Sequence, residues 1–230
     1  MRISHRYKFV FLALPRTGST TVRKILDAYS DVKSVHVTQT TAEFPFYHHI
    51  SARELKRIFD DRGWDWFAYR RFCVVRNPFD RIVSLYHHYQ KTNADRDKAK
   101  TSLYNFLKYL YFQVRPEMTF AEYVARLDPK GKLTTTLMEF IGGDDGALLV
   151  DDVLTFENLA TELPAYLQRM NISINPQEIP VLNASASRQP YAVYYTNAAR
   201  ERVASLYAYE IERFSYTFAA VPAGGSDAAG

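Results

Sequence analysis

Residues 9–21 read F-V-F-L-A-L-P-R-T-G-S-T-T, and this stretch limits the fold more than any other. Its first half is an unbroken apolar run with aromatic and β-branched residues. That composition suits a buried strand, expected over 8–14. The run stops at Pro15, Arg16 and Gly18, and hydroxyls follow at Thr17, Ser19, Thr20 and Thr21. A helix is then expected from Ser19 to Tyr29, with Val22, Ile25 and Leu26 as its apolar stripe. A strand that passes through a Gly-containing turn into a helix is a cradle for an anion. The helix start offers unpaired N–H groups and the positive end of its dipole. Gly18 allows close backbone approach, the hydroxyls add donors, and Arg16 adds a fixed charge. A plain turn capped by Ser or Thr fits the same letters. A nucleoside-triphosphatase loop, G-x-x-x-x-G-K-[ST], does not: Ala13 stands where its first Gly is required and Ser19 where its Lys is required.

The rest of the chain supports one α/β domain over 1–220, with 221–230 as a disordered tail. Short strands are expected at 34–37, 72–75 and 151–156. Helices are expected at 51–61, from Pro78 to Gln90, and at 102–114, 119–127, 157–170 and 196–214. A short helix is expected within 130–146, and loops at 38–49, 91–101 and 173–195. Alternating strands and helices imply a central parallel sheet with helices on both faces. Ligands of such sheets bind beyond the carboxyl ends of the strands.

The formal net charge is +4, without a long Lys/Arg block. That suits an anionic ligand and does not call for nucleic acid. Cys73 is the single cysteine, which excludes an internal disulfide and a Cys metal cluster; no metal is expected. No leader is visible in M-R-I-S-H-R-Y-K and no apolar run nears ~20 residues, so a cytoplasmic location is expected.

A second basic stretch, F-C-V-V-R-N-P-F-D-R-I-V-S-L-Y, spans 72–86. Arg76 falls at a strand end, and Ser84 lies on the helix that follows, where it could turn back to the same anion. Arg76 could equally be a structural ion-pair partner, and Asp80 and Arg81 plain surface charges.

P-R-T-G-S-T followed some sixty residues on by V-V-R-N-P-F-D-R-I-V-S resembles the sulfotransferases that use 3′-phosphoadenosine 5′-phosphosulfate (PAPS). The likeness is greatest to the carbohydrate sulfotransferase branch and its bacterial relatives. V-L-T-F-E-N-L at 153–159 and the ending V-A-S-L-Y-A-Y-E-I-E-R-F-S-Y are similar to later segments of that family, so the likeness spans most of 7–218. It implies a P-loop-like three-layer fold. It also implies that Arg16, Thr17, Gly18, Ser19, Thr20 and Thr21 hold the 5′-phosphosulfate, that Arg76 and Ser84 hold the 3′-phosphate, and that Arg188 closes over the nucleotide. The donor would leave as 3′-phosphoadenosine 5′-phosphate (PAP). Arg16 departs from the Lys found in many members, which changes its reach to the leaving oxygen.

The acceptor implied is a hydroxyl on a carbohydrate or glycolipid, and its proton needs a base. His49, in His49-Ile50-Ser51-Ala52, is the first candidate, His48 the second and Glu43 the reserve. His87 and His88 are helix-face residues or acceptor contacts. Glu157 could orient a basic residue. Phe44, Phe46, Tyr47, Trp64 and Trp66 could stack on sugar or fill the core. Two other readings fit part of the pattern: a nucleotide-dependent kinase of similar topology, and a non-catalytic nucleotide-binding module.

Overall fold

The computed structural model describes residues 1–98, 118–174 and 189–218, and the side chains of all of these except 93–98. Among them five strands form one sheet. These are β1 (Arg2–Ser4), β2 (Phe9–Leu12), β3 (Val32–Lys33), β4 (Arg70–Val75) and β5 (Asp152–Thr155), in the order β3-β1-β2-β4-β5. The β2, β4 and β5 strands run parallel, with Phe11 opposite Phe72 and Val74 opposite Leu154. The antiparallel strand β1 pairs with both β2 and β3. The sheet is therefore mixed, where a parallel one was expected. Only three residues long, β1 carries one apolar side chain between Arg2 and Ser4, too little to show a period.

Helices cover both faces, and side-chain alternation along the strands sorts the two cores. Val10, Leu12, Cys73 and Val75 point to one face. They pack there on α2 (Ala52–Asp61) through Leu55 and Phe59, and on Leu137, Phe140 and Ile141 of a short helix over Leu137–Ile141. Phe9, Phe11, Phe72 and Val74 point to the other. They meet Val22 and Leu26 of α1 (Ser19–Leu26), and Leu159, Leu163 and Tyr166 of a helix over Leu159–Gln168. Both faces of β2 and β4 are buried, which is why their sequences read as continuous apolar runs. A third cluster joins α3 (Pro78–Lys98) to the helices Phe120–Ala125 and Asn197–Leu206.

Several elements differ from expectation. Residues 34–37 are not a strand. Val35 makes one isolated bridge to Tyr47, and the side chain of His36 caps a helical turn over Val37–Gln39. Helix α3 does not stop at Gln90: 91–98 hold no Gly or Pro, so nothing breaks it before Lys98. The last helix divides at Tyr207. Its ring is buried and its hydroxyl donates to the Thr134 carbonyl, 2.5 Å away. Of the loop expected over 173–195, Tyr191–Tyr194 is a helical turn. The helix expected at 102–114, the tail 221–230 and residues 175–188 lie outside the described residues.

Phe72 is fully buried between the rings of Phe11 and Tyr166, with centroids 5.1 and 4.6 Å away. Phe72→Ala should cost about 3–5 kcal/mol through lost burial and the cavity left behind. Urea unfolding of both proteins measures this.

Candidate active site

The stretch after β2 is built as a loop whose carbonyls are turned away and tied down. Four consecutive ones each accept a side-chain hydrogen bond. Ala13 O takes His49 Nδ1 at 2.7 Å, Leu14 O takes Thr17 Oγ1 at 2.9 Å, Pro15 O takes Arg81 Nε at 3.0 Å and Arg16 O takes Arg76 Nη1 at 3.3 Å. The chain then turns through Arg16 and Gly18, both left-handed, with φ of 65° and 75°. Such a φ is strained for Arg16 and free of that cost for Gly18. Gly18 is also needed for space, since a Cβ there would sit 3.0 Å from the Phe156 ring. Helix α1 starts next. It has no side-chain cap and no acid in its first turn, so its first N–H groups and dipole face the loop unneutralised.

The two basic stretches meet here. Arg16 Nε donates to Ser84 Oγ at 3.0 Å, across 68 residues of sequence. Arg76, which touches the Arg16 carbonyl, lies 4.3 Å above the Phe156 ring and is paired with Asp80 through Nε, at 2.8 Å, and Nη2. Arg76 is thus an ion-pair partner of Asp80, as one reading had it, while its Nη1 reaches the loop. Among the described residues Glu157 meets backbone and a tyrosine rather than the basic side chain expected. It accepts from the Asn77 N–H at 2.8 Å and the Tyr216 hydroxyl at 3.0 Å, bracing the turn after β4.

Other expected residues fall as follows. Ser19 is buried at the helix start, Thr20 is exposed and Thr21 half-buried. The Thr17 hydroxyl faces inward and donates to the Leu14 carbonyl, and the residue is fully buried. Arg188 lies outside the described residues. The aromatic set belongs to the core: Phe46 and Trp66 are buried, and Phe44, Tyr47 and Trp64 pack partly buried against the same cluster. Core packing thus takes Phe46 and Trp66 whole and the other three in part. The half-buried His87 meets the Tyr194 hydroxyl at 3.1 Å, and His88 is exposed.

Arg81 is the residue the sequence reading missed. Far from being a surface charge, it is 2% exposed. Besides Pro15 it donates to the Thr135 and Leu133 carbonyls, at 2.9 and 3.3 Å. Its position between Phe79 and Ile82-Val83 was the available signal, because it sits within the apolar face of α3.

The three base candidates are now distinguishable by place. His49 touches the loop itself. A carbonyl can only accept, so Nδ1 carries the proton and the neutral ring keeps its lone pair on Nε2. His48 bonds through Nδ1 to Ser34 Oγ at 2.8 Å, beside β3. Glu43 is exposed, and Arg62 at the far end of α2 holds its carbonyl. Burial holds His49 down at about 4, and Arg23 and Arg81 push the same way against the Ala13 hydrogen bond. His48 is likewise lowered to about 4, by burial and by Arg23.

A family model described as the sulfotransferase family matches residues 1–217. The chain belongs to the sulfotransferase family. Its fold is similar to that of mouse sulfotransferase SULT7A1, solved in complex with PAP, with a TM-score of 0.51 and 13% identity. The match covers 91% of this chain and 86% of that one. Comparison with curated proteins gives no match. Among the described residues of this sulfotransferase, no helix is long and apolar enough to cross a membrane.

The depressed imidazoles have a consequence for stability. Between pH 6.5 and about 4 the unfolded chain binds protons that folded His49 and His48 refuse, so stability rises with pH across that window and falls on acidification. In His49→Gln the decline in melting temperature from pH 6.5 to 4.5 should be shallower than in the parent. Equal slopes in a thermal-melt series would show that the ring is not held neutral.

Proposed function

We propose that this sulfotransferase moves a sulfuryl group from PAPS to a hydroxyl on a carbohydrate or glycolipid, with His49 as the base. The observation that carries this is the contact between the two basic stretches: the Arg76 guanidinium reaches the Arg16 carbonyl, and Arg16 reaches Ser84. One nucleotide with phosphates at both ends can be held only if these groups share a site.

The described residues suit such a donor. A left-handed Gly18 without a Cβ opens the loop toward the uncapped start of α1, a ready anion seat. Arg16 and the α1 N–H groups would hold the 5′ end, and Arg76 and Ser84 the 3′-phosphate. When bound, the donor supplies the sulfuryl group, and its S–O bond to the phosphate breaks. Arg16 and the helix start then stabilise the charge gathering on the departing phosphate oxygen. His49 Nε2 takes the acceptor's proton as the new O–S bond forms. Its Nδ1–H, anchored on Ala13, keeps the ring beside the same loop.

Arg76→Ala should weaken PAP at least tenfold in calorimetric titration, or about 1.4 kcal/mol. His49→Ala should keep PAP affinity and lose transfer in a labelled-sulfate screen against saccharides, glycolipids, phenols and small alcohols. Unchanged PAP binding in the first variant would remove the second basic stretch from the site. Transfer only to phenols or small alcohols would replace the saccharide assignment.

The pH–rate profile tests the base separately. Protonated His49 cannot accept a proton, so kcat/KM for PAPS, which reports the donor-free enzyme, should fall only in acid, well below the ordinary histidine range, and stay level through neutrality. An acid limb near 6.5 would assign the base elsewhere.

A further inference from the structure

The strands that deliver the loop after β2 have a second end, about 13 Å away across the four residues of β2. There the residues before β2, β4 and β5 and those after the Leu159–Gln168 helix enclose an open groove of about 680 Å³. Four exposed cations line it: Arg6, Lys8, Arg70 and Arg169. The carboxylate in the lining, Asp151, is already gripped by Arg71 through Nε at 2.9 Å and through Nη2. Arg70 approaches Asp152 only to 3.9 Å, with 52% of its side chain in water, a weak pairing.

The other three cations lean on rings. Arg6 lies 5.2 Å from the Tyr7 centroid, Lys8 4.8 Å from Tyr69 and Arg169 5.7 Å from Tyr166. Such contacts fix a cation in place without cancelling its charge. Lys8 is also held in the left-handed region, at φ 53°. The groove is therefore a concave row of positioned positive charges, remote from the donor loop.

We propose that this groove binds a linear anionic saccharide, whose sulfate or carboxylate groups the four cations hold. The lining holds three rings: Tyr69 is buried under Lys8, Tyr7 is half-buried against Arg6, and Phe67, 5.1 Å from Arg71, is 73% exposed. One exposed ring cannot stack successive nucleobases, which single-stranded nucleic acid depends on. Closely spaced charges on a sugar backbone need only the cations. The inference rests on the saccharide reading for its ligand, but its test reads binding rather than transfer, so each can fail alone.

The probe is a short fluorescein-labelled sulfated oligosaccharide, followed by anisotropy on the full chain. Arg6→Glu/Arg169→Glu should weaken it at least tenfold while PAP affinity stays unchanged. Added salt should reduce the parent's affinity toward the variant's. Should the double variant lose PAP as well, the milder Lys8→Gln/Arg70→Gln replaces it, with a several-fold loss expected. Unchanged oligosaccharide affinity in a variant that still binds PAP overturns the proposal. So does a single-stranded oligonucleotide of equal charge that binds as tightly and loses as much in the same variant.

Discussion

The whole site depends on where the carbonyls of residues 13–16 point. A loop meant to receive an anion cannot present oxygen to it, because each carbonyl would repel the ligand and keep the helix start from reaching it. Here His49, Thr17, Arg81 and Arg76 take those four oxygens one by one. Arg81 does most, since its buried guanidinium also binds the Leu133 and Thr135 carbonyls. Burying a guanidinium is unfavourable unless its donors are matched. Backbone carbonyls from two distant segments supply the match, so the charge becomes a clamp between α3, the donor loop and the segment before Leu137. A Lys, with a single nitrogen, could not reach all three.

The later chain completes the clamp from the other side. Phe156 follows β5 and lies under Arg76, against the face of Gly18. Glu157 holds the Asn77 N–H, and Tyr216 holds Glu157. Glu210 accepts from the Leu137 N–H at 2.5 Å, and burial raises its pKa. Each contact joins residues at least 59 positions apart, so the second basic stretch is shaped by segments that carry none of the binding groups.

That distance explains what the sequence could and could not show. Strand β2, the turn, α1, β4 and the start of α3 announce themselves through local chemistry: apolar runs buried on both faces, a Gly where φ is positive, Pro in a first helical turn. The meeting of Arg16 with Ser84 was legible only because a resemblance tied the two stretches to one ligand. Nothing local marked Arg81 as buried except its apolar neighbours, or showed that the Thr17 hydroxyl turns inward. The aromatic residues near 44–47 and 64–66 could be sugar platforms or core from composition alone, and packing buries Phe46 and Trp66 while leaving Phe44, Tyr47 and Trp64 partly exposed. β1 escaped because three residues with one apolar side chain carry no period.

His49, the proposed base, and the proposed anion seat adjoin each other, and the local field opposes protonation of the ring. Burial lowers the affinity of His49 for a proton, and the N-terminal amine, Arg23 and Arg81 add to it. His49 is thus a neutral but weak proton acceptor. An anion on the adjoining loop would offset part of that field and make Nε2 more basic. In the proposed reaction the ring therefore gains strength as a base when the donor is in place. Exposing the ring to make it more basic would also let it charge in the free protein. The two requirements are balanced by burial: enough to keep the ring neutral in the free protein, with the Ala13 carbonyl fixing which nitrogen stays open.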